Sequence, residues 1–317
     1  MKLKRFFIPI LTLFFLVIIP YLQTTTESQA RSVLEKHLEQ RYGEPFYVGR
    51  MGIRSTDKKS WYEADIIPMK YVGTEKENDK YYWSTGTVRI NRKWWGKKLG
   101  TGGDIYMVVR LNESAAEFYK PKLDELFGDK YLPVFDIDAW IIENNGDFEE
   151  TYNYNMYKEG YLFITGHIYI FGRISNDAER DAYKSKIYSF IDHMKATKTY
   201  EYVRLGFIII DERVLTKEFQ ENDMLKKQLA KLGEEYRDIN RDYFRIERRK
   251  LMSVLSETTN FTISMEQINK GMPQISYYNT LLNMIIYSEK FLESRYIDKN
   301  QFVKKDEMYL EMYLDIH

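Results

Sequence analysis

The stretch YYWSTGTVRI, residues 81–90, returns eighty positions later as YLFITGHIYI, residues 161–170. Both alternate in the period of two that a β-strand imposes on its side chains. The aligned positions match in type: Tyr81 with Tyr161, Trp83 with Phe163, Thr85-Gly86 with Thr165-Gly166, Val88 with Ile168 and Ile90 with Ile170. A second echo precedes each strand, since LEQRYGEPF (38–46) parallels LDELFGDKY (123–131). Each reads as the end of a helix stopped by a glycine, Gly43 or Gly128. Helix first and TG strand later, at nearly one offset, is the pattern of a repeated helix-plus-sheet unit, although short strand words also recur by chance.

Working outward from these strands, residues 30–43 place Val33, Leu34, His37, Leu38 and Tyr42 on one helical stripe. Four strand-like runs follow, 46–53, 61–71, 81–91 and 104–111. The last alternates most clearly, with Ile105, Met107, Val109 and Leu111 on one side and Tyr106, Val108 and Arg110 on the other. GTEKENDK and GKKLGTGGD read as turns between them. A second helix is expected from Ser114, which forms a capping box with Glu117, and Pro121 should kink it or delay its start.

Beyond it come a strand at 134–142, the polar connection ENNGDFEETYNYNMYKEG, the second TG strand and a helix carrying Tyr183, Ile187, Phe190, Ile191 and Met194. A buried strand containing FIII spans 202–211. From 216 the pattern turns helical, and Leu225, Leu229, Leu232, Tyr236, Ile239, Tyr243 and Ile246 trace a coiled-coil seam. That seam either packs within a bundle or pairs with a second copy. The segment from Pro273 and the closing residues 304–317, with Tyr309, Met312, Tyr313 and Ile316, read as further helices.

The expected fold is therefore α+β: helices on antiparallel sheet in two units of possible common origin, 27–112 and 113–212, then a helical region at 213–317. Residues 1–26 stand apart. Lys2, Lys4 and Arg5 precede an uncharged apolar run from Phe6 to Leu22. Its length suits either a secretory leader or a short spanning helix. The basic flank keeps Met1 in the cytoplasm and puts the rest outside the cytoplasmic membrane. Ser28-Gln29-Ala30 offers small residues for cleavage near Ala30, so anchored and secreted forms both stay open.

The 317 residues are 44% hydrophobic and 16% aromatic, enough for a sizeable core. Lys plus Arg balances Asp plus Glu at 47 each, so no net field favours nucleic acid. Cysteine is absent, which excludes disulfides, thiol nucleophiles, thiolate metal sites and a lipidated cysteine. The histidines are His37, His167, His193 and His317, and none lies in a metal-binding or triad motif. His37 and His193 read as helix-surface residues.

Asp136, Asp138 and His167 form the best local constellation. Period-two geometry puts both carboxylates on one strand face, and His167 shares a face with Thr165 and Tyr169. If the strands are neighbours, the three could converge on a hydrolytic water or a cation. The competing reading is a solvated sheet face opposite Phe135, Ile137 and Ile141. LGTGGD lacks the strand-before, helix-after context of a phosphate loop, and ENNGDFEE does not match a calcium loop, so neither implies a metal or cofactor. Trp61 and Trp83 could contribute to a stacking platform for glycan or peptide, and Trp94-Trp95 is the most exposed-looking candidate pair.

LEQRYGEPFYV followed by WYEADIIP resembles uncharacterised, signal-anchored extracytoplasmic proteins of low-GC Gram-positive bacteria, over residues 38–68. The resemblance implies a location and a helix-on-sheet module, and carries no activity. The expected function is a non-enzymatic binding or adaptor protein of the cell envelope, its partner an envelope protein, peptide or glycan and its oligomeric state open. The alternative is a hydrolase or metal-dependent enzyme built on Asp136, Asp138 and His167.

Overall fold

The computed structural model describes residues 25–78, 81–93, 96–140, 145–158, 160–215, 222, 224 and 280–312. The fold is α+β, and it divides into two compact units, Met1–Val109 and Arg110–His317.

The first unit opens with α1 (Glu27–Tyr42). Thr26 and Gln29 cap each other reciprocally at its start, satisfying two backbone donors. Ala30, Leu34 and Leu38 recur every four residues and are buried, and the helix stops at Gly43 with φ +70°. Strands β1 (Phe46–Val48), β2 (Gly52–Ser55), β3 (Ser60–Pro68), β4 (Ser84–Lys93) and β5 (Gly96–Asp104) then form one antiparallel sheet in the order β1-β3-β4-β5, with β2 also on β3. A short helix, α2 (Glu75–Asn78), lies between β3 and β4.

One face of this sheet lies under α1, where Tyr62, Ala64, Ile66, Val88 and Ile90 join Leu34 and Leu38 in a single core. Glycine makes the close approach possible. A Cβ on Gly86 would stand 2.7 Å from Leu34 Cδ2, and one on Gly102 would stand 2.6 Å from His37 Cβ. The helix α3 (Tyr106–Phe127) begins directly after β5.

The second unit takes α3 from Arg110 onward, then β6 (Tyr131–Ala139), α4 (Phe148–Tyr157), β7 (Leu162–Gly172), α5 (Asp177–Ala196), β8 (Val203–Asp211), β9 (Thr280–Ser288), α6 (Glu289–Ser294), β10 (Val303–Lys305) and β11 (Met308–Met312). Its sheet runs β10-β11-β9-β8-β7-β6. All pairs are antiparallel except β7 with β8, which are parallel and joined through α5. Leu111, Ala115, Tyr119 and Leu123 of α3 and Ile187, Phe190, Ile191 and Met194 of α5 cover one sheet face. On the other face Phe163, Ile285, Tyr287 and Tyr309 pack with Phe291 and Leu292 of α6.

Several expectations are corrected. Residues 106–111 are helix, because Tyr106, Val109, Leu111, Ala115, Tyr119 and Leu123 also satisfy helical spacing, which the two-residue alternation obscured. The helix consequently starts eight residues before Ser114 and contains Pro121. Ser114 Oγ instead accepts the N–H of Phe148, 2.9 Å away. GKKLGTGGD is strand β5, with Gly102 clearing room for the helix above. The sheet of the second unit is mixed. Residues 280–288 and 308–312 are strands, so the described part of 213–317 holds more strand than helix; an unbroken apolar run has no period to separate helix from strand. The leader run 6–22 and the seam 225–246 lie outside the described residues. Among the described residues, no helix is long and apolar enough to cross a membrane.

Candidate functional site

In the second unit the register of β6 with β7 puts Asp136, Asp138 and His167 on one sheet face, with His167 across from Val134. Asp136 is exposed on β6 opposite Thr165, whose hydroxyl donates to the Asp136 carbonyl. Asp138 is exposed two residues on, with its carboxylate 4.0 Å from Arg295 Nη2. His167 is only 7% exposed and packs against β8, since a Cβ on Gly206 would lie 2.4 Å from its Cδ2. β8 borders β7 on the side away from β6, so the ring leans toward β8. No group of three His, Asp or Glu residues with metal-binding geometry occurs among the described residues. Trp94 and Trp95 lie outside them.

The first unit gathers polar groups that the sequence did not bring together. Asp104, at the end of β5, has a fully buried side chain. Its Oδ1 accepts the Tyr42 hydroxyl at 2.5 Å and the Tyr106 N–H at 3.0 Å. Its Oδ2 lies 2.9 Å from His37 Nε2 and 3.6 Å from Arg41 Nη1. Burial, reinforced by the hydrogen bond to this carboxylate, pushes the Tyr42 hydroxyl well above its ordinary pKa. An Asp–His pair orients an imidazole, as acid–base chemistry requires. Among the described residues no hydroxyl nucleophile hydrogen-bonds His37, and the carboxylate is shared with three other groups. Its arrangement is that of a tie between the end of α1 and the start of α3.

The open face of the same sheet carries the second feature. Alternation along β3 sends Tyr62, Ala64 and Ile66 under α1 and leaves Trp61, Glu63 and Asp65 on the other side. Glu63 is held by Trp61 Nε1 at 2.9 Å and Arg54 Nε at 3.1 Å, which together lower its pKa. Beside this row Asp65, Trp83, Ser84, Thr85, Ile105, Val108 and Val109 line an open groove of about 310 Å³. Ile105 is 56% and Val108 38% exposed, unusual for aliphatic side chains that flank a cavity.

The Trp83 ring is fixed in place. Its Nε1–H donates to the Glu77 carbonyl at 2.6 Å, and Tyr47 meets it edge-on with ring centroids 6.1 Å apart. Asp65, directly across from Thr85 on β4, forms no ion pair with a described residue. Trp83 was legible in the sequence as a stacking candidate. Asp65 was not, and Ile105 and Val108 were hidden because residues 104–111 read as a strand, whereas Val108 stands on α3 and Ile105 just before it. No protein-family model, curated protein or solved structure matches this chain.

Proposed function

We propose that this chain is a non-enzymatic binding or adaptor protein of the cell envelope, and that the open sheet face of the first unit is its binding surface. The observation that carries the reading is the groove walled by Trp83, Ile105 and Val108, where apolar surface stays in contact with water instead of joining the core. Location rests on the cationic start and apolar run of residues 2–22 and on the resemblance of residues 38–68 to signal-anchored extracytoplasmic proteins. Residues 6–22 hold the chain at the cytoplasmic membrane, or cleavage near Ala30 releases it. The partner is an envelope protein or peptide, with glycan the less supported class, because the groove walls are aliphatic on one side.

The hydrolytic reading draws less support, since Asp136 and Asp138 face solvent while His167 leans over Gly206. On origin, the two units share an opening of helix, left-handed glycine and strand, with Gly43 at φ +70° and Gly128 at φ +68°. Common ancestry, in this reading, extends from that opening to the TG strand and no further, because β4 has two antiparallel neighbours and β7 has a parallel one.

A photoreactive side chain introduced at Val108 in intact cells tests the function. A discrete adduct that disappears when Thr85→Trp fills the groove is the expected result. Absence of any adduct, or an adduct indifferent to Thr85→Trp, would overturn the reading.

A further inference from the structure

The second unit holds an arginine between an aromatic ring and a carboxylate, and the open face of the first unit carries a ring and a carboxylate beside one groove. On β7, Phe163 lies directly across from Asp138, and the Arg295 guanidinium stands 4.3 Å from the Phe163 ring centroid and 4.0 Å from the Asp138 carboxylate. A ring beneath and a carboxylate beside hold one guanidinium by stacking and by charge. In the first unit Trp83 occupies the position that aligns with Phe163 in the two TG strands, and Asp65 sits on the neighbouring strand across from Thr85, diagonal to Trp83 and one same-face position from where Asp138 would fall. No described cation lies over Trp83 or pairs with Asp65.

Resting on the binding-protein reading above, we propose that the groove receives an arginine side chain of an extended polypeptide partner, with its guanidinium on Trp83 and beside Asp65. Three properties of the groove select this chemistry. Asp65 is the one ionisable group in its lining, so the complementary charge is positive. Ile105, Val108 and Val109 provide apolar surface for the three-carbon stem that precedes a guanidinium. A volume of about 310 Å³ stands at the small end of ligand sites, roughly 300 to 1,000 Å³, and suits one long side chain better than a multi-ring ligand. Arginine is favoured over lysine because a planar guanidinium stacks on an indole and meets a carboxylate with two parallel donors.

The test uses the full chain in detergent micelles and follows the indole N–H signal of Trp83, assigned by its loss in Trp83→Phe. The probes are an acetylated, amidated peptide, Gly-Leu-Arg-Val-Gly, and the same peptide with citrulline, which keeps the shape and removes the charge. The arginine peptide should shift the Trp83 signal saturably, with citrulline and Asp65→Asn each weakening binding about two- to fivefold, as expected of a single exposed ion pair. Equal binding of both peptides, or binding indifferent to Asp65→Asn, overturns the arginine inference and leaves the groove standing as a docking site if Val108→Asp abolishes both. No response to either peptide overturns the inference as well. The cell cross-link at Val108 then reports separately on the function.

Discussion

In the first unit Gly86 lies beneath α1, where an added Cβ would stand 2.7 Å from a Leu34 methyl; in the second Gly166 has φ +127°, and a Cβ would stand 2.1 Å from the carbonyl oxygen of Val134. One dipeptide, Thr-Gly, thus answers two different physical demands. Gly86 clears space for a side chain, and Gly166 accepts a backbone conformation closed to other residues. The strands around them differ as well. β4 runs between antiparallel neighbours with one face under a helix and the other open, whereas β7 and β8 are buried along almost their whole length. A strand word therefore specifies pairing tendency, while the face left in contact with solvent is decided by what packs on it. The open face belongs to the first unit, and the groove is there.

The largest expected effect comes from exchanging the two glycines for alanine. Gly166→Ala meets both a forbidden φ and a backbone oxygen that cannot rotate away, and should cost about 4 kcal/mol or more. Gly86→Ala meets side-chain methyls of Leu34 and Ile66 and no backbone atom, and should cost about 1 to 3 kcal/mol. Denaturant titration of the two variants ranks them. The reverse order would mean that the two glycines share one role after all.

Next in size is the contrast between a buried and an exposed carboxylate. Asp104→Ala strips Tyr42, His37 and the Tyr106 N–H of their acceptor and leaves Arg41 facing no charge, a loss of about 3 kcal/mol. Asp104→Asn should recover part of it through the remaining amide oxygen. Asp136→Ala, on the solvent side of β6, should leave the midpoint of denaturation within experimental error. A large effect at Asp136 would restore a structural or chemical role to the constellation around it.

These contrasts mark how far the sequence could be read. Helices and strands with a single clear period were legible: α1 with Leu34 and Leu38, α5 with Ile187 and Phe190, and β6 with Phe135 and Ile137 buried between exposed Asp136 and Asp138. Residues 105–111 satisfied two periods at once, and tertiary packing chose the helix. β5 was hidden because glycine is a weak strand former whose value there lies in what it does not place under α1. The polar hub joins His37, Arg41 and Tyr42 to Asp104 across more than sixty residues, a separation no local pattern reports. Asp104 ahead of Tyr106 did carry one usable signal, a capping-type residue before a helix. Asn112 is similar, its Oδ1 accepting the N–H of Ile137 at the free edge of β6, where a side chain blocks further strand pairing.

The smallest effect concerns protons and sharpens the account of the Asp104 hub. Tyr42 donates to a buried carboxylate and resists ionisation in the folded chain, whereas a tyrosine in the unfolded chain loses its proton at a pH of about 10. Below that pH both states hold the proton and the hydrogen bond contributes in full. Above it only the unfolded state releases the proton, so stability falls as pH rises, with a slope of up to about 1.4 kcal/mol per pH unit from this one group. Tyr42→Phe lacks both the hydrogen bond and the proton. It should be less stable than the natural chain at pH 8, by about 1 to 2 kcal/mol, and the gap should narrow between pH 10 and 11. Tyr119, Tyr152 and Tyr200 of the second unit, also pushed upward by burial, remain in both chains and cancel from the difference. Denaturant titrations of the two chains at four pH values measure the gap directly. A gap that stays constant to pH 11 would show that the folded chain releases the Tyr42 proton as readily as the unfolded one, and the hub would then lack the buried acceptor that ties α1 to the start of α3.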